Sequence, residues 1–86
     1  MRHAMRYRMT ISPIGNPGGG LHVQGNYLRR ELVLQAVNWV CGPWGEAGKR
    51  RALRDTMHKR MKASKSGRIR LTHDGHVISV SRRRMP

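Results

Sequence analysis

Eighteen Lys and Arg against four Asp and Glu within 86 residues give a formal charge of +14 at pH 7, and that excess calls for a polyanionic partner. A charge of about 2 to 8 suffices for a small soluble domain, so self-repulsion costs stability in the free state and is relieved on binding. The length excludes a large core: one domain of this size buries only about 60 to 65% of its unfolded surface.

From His3 to Ile11 the odd positions His3, Met5, Tyr7, Met9 and Ile11 are mostly apolar, whereas Arg6, Arg8 and Thr10 alternate with them. That period predicts a half-buried strand. Ser12-Pro13 ends it, and residues 12 to 20, rich in Gly and Pro, read as a flexible loop. Leu21-His22-Val23 predicts a short second strand paired back on the first, with Gly25-Asn26 punctuating it.

Asn26 then reads as the N-cap of a helix from Tyr27 to Cys41, stopped by Gly42-Pro43. Leu28, Leu32, Val33, Ala36, Val37, Trp39 and Val40 cover more than half of its circumference, leaving Glu31, Gln35 and Asn38 as a polar strip. This helix is the expected core, with Tyr27 and Trp39 buried. Arg29 and Arg30 stand in its first turn, where cations oppose the macrodipole, so helix stability does not explain them. Cys41 is the single cysteine and closes the apolar run. A free thiol there acts as a small hydrophobe and suits a reducing, intracellular compartment, cytoplasmic or nucleoid-associated. No apolar stretch reaches the roughly 18 residues of a membrane span, so no membrane partner is expected.

A second helix is predicted from Glu46 to Ser64, with Leu53, Met57 and Met61 as a thin apolar stripe among Lys49, Arg50, Arg51, Arg54, Lys59, Arg60 and Lys62. Beyond it, Arg68 to His73 and His76 to Ser81 flank Asp74-Gly75, the favoured pair for a type I′ turn. The register of that hairpin follows: His73 faces His76, Leu71 faces Ile78 and Ile69 faces Val80. Arg68 and Arg70 then share the opposite face with Thr72, Val77, Ser79 and Ser81, and residues 82 to 86 form a basic tail. The predicted fold is α+β, a single domain in which an antiparallel sheet of the N-terminal strand plus the hairpin packs against two helices.

Several constellations bear on function. Arg6 and Arg8 would join Arg68 and Arg70 on one sheet face, where guanidinium forks and hydroxyls can donate to phosphate oxygens. The basic helix supplies the main expected contacts, Lys49, Arg50, Arg51, Arg54, Lys59 and Lys62, and the tail adds Arg82, Arg83 and Arg84. From Glu46 onward, a basic helix followed by a hairpin resembles the end of a winged-helix domain, which implies a helix in the major groove and a wing on the neighbouring backbone. Nucleic acid is therefore the expected partner, duplex DNA ahead of RNA, bound through its phosphates. With no Phe, and with Tyr7, Tyr27, Trp39 and Trp44 as the aromatics, only Trp44 and Tyr7 are candidate stacking residues. For Trp44, folding onto the core near Pro43 is expected ahead of stacking, because large aromatics are mostly buried.

No enzyme and no cofactor are expected. His73 and His76, facing each other across the turn that holds Asp74, allow two ligands for a metal but supply no third or fourth. Gly42 to Lys49, GPWGEAGK, misses the phosphate-loop pattern in its spacing and in Arg50 after the lysine. The rival reading is a regulator or inhibitor, as compact phage-encoded proteins are, docking on an acidic surface of a larger nucleic-acid-processing complex. Trp44, Met57 and Met61 would then be exposed anchors. A structural component of a ribonucleoprotein particle is a third expectation.

Overall fold

The computed structural model describes residues 5–16 and 18–83, residue 83 through its backbone alone. The elements run β1 (Met5–Pro13), β2 (Leu21–Tyr27), α1 (Arg29–Cys41), α2 (Ala47–Ala63), β3 (Arg68–His73) and β4 (His76–Arg83). The strands form one four-stranded antiparallel sheet in the order β2-β1-β4-β3. Both helices cover one face of it, which is the α+β architecture that the sequence predicts.

Alternation decides which face is covered. Tyr7, Met9 and Ile11 of β1, Val23 of β2, Ile69 and Leu71 of β3, and Ile78 and Val80 of β4 all point to the helices and are buried. They meet Leu32, Val33, Ala36 and Val37 of α1 and Leu53, Met57 and Met61 of α2. Each such aliphatic side chain contributes roughly 1.5 to 3 kcal/mol on burial. Met57 and Met61 are 0% and 8% exposed, so the expectation of exposed methionine anchors is overturned: they hold α2 to the sheet.

The hairpin is as predicted, with His73 opposite His76, Leu71 opposite Ile78 and Ile69 opposite Val80. Asp74 (φ 48) and Gly75 (φ 76) both take the positive φ that a type I′ turn requires. It is no free wing, however, because β4 pairs with β1 from Arg6↔Arg83 to Pro13↔His76. The expected tail is shortened by that pairing. Arg82 is opposite Tyr7 within the sheet, its N–H donating to the Gly67 carbonyl at 2.8 Å; Arg83 belongs to β4, and Arg84 lies outside the described residues.

Two boundaries differ from expectation. β1 extends through Pro13, and Ile14 N–H donates to the Gly75 carbonyl at 2.9 Å, joining the start of the loop to the hairpin turn. His3 and Pro17 lie outside the described residues. β2 continues through Gly25 and Asn26, which pair with Tyr7 and Arg6, so Asn26 is a strand residue rather than a cap. The helix begins at Arg29 after Leu28, whose N–H donates to the Glu31 carboxylate at 2.7 Å. Glu31 thus serves an orphan donor from within the first turn. Gly20 (φ 107) is fixed by close approach, since a Cβ there would stand 1.8 Å from the Ile11 carbonyl oxygen.

The apolar arc of α1 is wider than the sheet can cover. Leu34 and Trp39 are 54% and 49% exposed, so the expected burial of Trp39 fails; Tyr27, Val40 and Cys41 pack partly buried at the core margin. Among the described residues, no helix is long and apolar enough to cross a membrane.

Candidate nucleic-acid interface

The face of the sheet turned away from the helices is almost wholly polar. In one row across the strands stand Gln24, Arg8, Ser81 and Arg68; in the next stand His22, Thr10, Ser79 and Arg70. Arg6, beside Asn26, begins a third. Strands about 4.8 Å apart and side chains repeating about every 6.7 Å set the arginines on a regular grid, with Arg8 and Arg68 about 9.6 Å apart at the backbone. A shallow depression lies between them, lined by Arg8, Arg68 and Arg70 with Thr10, Ser79 and Ser81.

Electrostatics favour anions there. The four acids are Glu31 on α1, Glu46 before α2, Asp55 on α2 and Asp74 in the hairpin turn, so none stands on a strand. The Nε of Arg8 is screened from solvent and has no hydrogen-bond partner. A buried donor left unmade costs free energy. Arg68 and Arg70 are exposed, and their side chains enter no hydrogen bond or ion pair among the described residues.

The basic helix is a different surface. Lys49, Arg51, Arg54, Lys59 and Lys62 are exposed on α2, in the layer opposite the arginine grid. The two sets of expected contacts are therefore not brought together. Asp55 lies one turn from both Arg51 and Lys59 and pairs with Arg54 at 3.2 Å. Arg50 is not a free contact: it donates to the Gly42 carbonyl and, at 2.7 Å, to Asn38 Oδ1, tying α2 to the end of α1. Arg60 donates to the Arg70 carbonyl at 3.0 Å and Ser64 Oγ to the Arg68 carbonyl at 2.8 Å. Both cover backbone acceptors of the edge strand β3, which would otherwise be open to pairing. Arg82 faces the helices, near Arg29 and Tyr7, rather than the grid.

Tyr7 is 4% exposed, so it offers no stacking surface, while Trp44 is 97% exposed at the corner between the helices. The expected folding of Trp44 onto the core does not occur: the corner turns it outward. His73 and His76 are cross-strand neighbours, with His76 Nδ1 2.9 Å from the Asp74 carbonyl oxygen. Among the described residues no three His, Cys, Asp or Glu gather as metal ligands do.

His22, Gln24 and Asn26 also belong to the sheet face, beyond the residues expected there. Alternation through Gln24 was the available signal, and Gly25-Asn26 masked it as a break. No protein-family model, no curated protein and no solved structure matches the chain.

Proposed function

We propose that this protein binds duplex nucleic acid, DNA in the first place, through phosphate contacts from the outer face of its sheet. The observation that carries this reading is the grid of Arg6, Arg8, Arg68 and Arg70 with interleaved hydroxyls on a surface that holds no acid. Such a face offers donors in quantity and a preference for anions without base selectivity of its own. No Tyr or Trp side chain is exposed on it and His22 is its one exposed ring among the described residues, so it lacks the array of stacked aromatics that single-strand binders use. The edge strand β3 brings Arg68 and Arg70 to the rim of the sheet, where they can reach into the wide major groove of B-form DNA, whereas the A-form major groove is too narrow for side chains. Arg6 and Arg8 would then meet the flanking backbone.

The test is a fluorescence anisotropy titration of labelled duplex DNA, single-stranded DNA and duplex RNA of equal length, across roughly 50 to 200 mM salt. Two variants of equal charge loss are compared: Arg6, Arg8, Arg68 and Arg70 to Gln, and Lys49, Arg51, Lys59 and Lys62 to Gln. The sheet variant is expected to bind more weakly and to lose up to about 0.9 of the log–log salt slope per contact removed, with the helix variant nearer the parent. Loss confined to the helix variant would transfer the site to α2. Equal losses would reduce the effect to net charge, and a preference for duplex RNA would favour the ribonucleoprotein reading.

A further inference from the structure

A second surface is independent of the arginine grid. Between α1 and α2, on the side away from the sheet, runs a groove of about 660 Å³. Leu34, 54% exposed, and Pro43 supply its accessible apolar surface, above a floor of Val33 and Val37 that already belong to the core at 1% and 3% exposed. Its rim carries Arg30, Arg51, Arg54 and His58. Glu31 also lines it, but that carboxylate is held by the Leu28 N–H at the start of α1.

We infer that this groove receives an acidic amphipathic segment of a partner protein, apolar side chains down and carboxylates toward the rim. Charge complementarity selects this occupant. A second copy of the chain would bring another +14 against a cationic rim. Phosphates find arginine at the rim, yet the aliphatic lining gives a sugar-phosphate chain no donors. An amphipathic helix satisfies both parts, with anchors at i, i+3, i+4 and i+7 on the aliphatic residues and Glu or Asp facing the guanidinium groups. α1 is 13 residues long, about 20 Å, so a helix of similar length fills the groove. His58 gives a reporter at the rim: burial, then Arg29 and Arg54, hold its pKa below the ordinary value, with Asp55 opposing them. A carboxylate arriving beside it moves that pKa up.

The test uses the whole protein and a labelled peptide of about 14 residues with Leu at i, i+3, i+4 and i+7 and Glu between. A scrambled peptide of the same composition and poly-glutamate are the controls. The patterned peptide is expected to bind at least about tenfold more tightly than either, and to raise the His58 pKa followed by NMR. Leu34→Gln, and separately the pair Arg51→Glu and Arg54→Glu, are each expected to cost about tenfold; these positions are exposed, and circular dichroism checks folding. Arg68→Gln with Arg70→Gln leaves peptide affinity unchanged, which separates this surface from the nucleic-acid reading. Equal binding of scrambled peptide or poly-glutamate, or no binding, overturns the proposal. So does displacement of the peptide by duplex DNA from the Arg68→Gln, Arg70→Gln protein, or a dimer in sedimentation that Leu34→Gln dissolves.

Discussion

On the outer face of the sheet, Arg68 and Arg70 extend into solvent with no side-chain hydrogen bond or ion pair among the described residues. On the helical layer Arg50 joins α2 to Asn38 and Gly42, Arg60 covers a carbonyl of β3, and Arg54 sits against Asp55. Basic residues on the two sides are chemically alike and differ in employment. Those on the helices are partly consumed by the fold, in holding helix to helix and α2 to the sheet edge. Those on the sheet are held in place by strand pairing that needs only backbone, so the guanidinium groups of Arg68 and Arg70 have no structural task among the described residues. Density of charge along the sequence, highest on α2, therefore overstates the charge left free there: Arg50, Arg54 and Arg60 are engaged, while Lys49, Arg51, Lys59 and Lys62 stay exposed.

That contrast can be broken at its foundation by loosening the helices without touching a charge. Leu53 is 0% exposed at the centre of the α2 stripe, and Leu53→Ala is expected to cost about 2 to 5 kcal/mol in urea unfolding. If duplex affinity of the folded fraction is retained, the sheet face functions apart from exact helix packing; its loss would make the two layers one site. A smaller effect tests the structural use of arginine. Arg50→Met removes two charge-assisted bonds and is expected to lower stability by about 1.5 to 3 kcal/mol, with the salt slope of duplex binding unchanged. A reduced slope with full stability would restore Arg50 to the phosphate contacts that the sequence suggested.

Legibility in the sequence followed the range of the cause. The hairpin and its register were readable because Asp74-Gly75 acts over two residues and alternation does the rest. The Leu53, Met57, Met61 stripe was readable for the same local reason, though which of its neighbours remain free was not. Arg50 reaches Asn38 and Gly42 across the corner between the helices, partners 12 and 8 residues away that no local pattern reveals. The full length of β2 depends on β1 lying beside it, which overrides the turn preference of Gly25-Asn26. Trp39 misled because an apolar arc reports what a helix could bury, whereas the sheet and α2 cover only the side that bears Leu32, Val33, Ala36 and Val37.

The smallest expected effect probes the helical layer alone. His58 has its pKa held below 6.5 by burial and by Arg29 and Arg54, so below that pH the unfolded chain takes up a proton more readily than the folded one. Its contribution to stability is complete above pH 6.5 and is lost as the pH falls from the unfolded to the folded pKa. Urea unfolding of the parent and of His58→Gln, between about pH 7.5 and 5.5, should therefore show the greater acid loss in the parent. Arg54→Gln should narrow the difference, because it removes one of the charges that oppose protonation, and Arg68→Gln on the far side of the sheet should leave it unchanged. Identical pH profiles for parent and His58→Gln would mean that neither burial nor the guanidinium groups of Arg29 and Arg54 are felt at the imidazole, and the difference in employment between the two faces would then rest on hydrogen bonds alone.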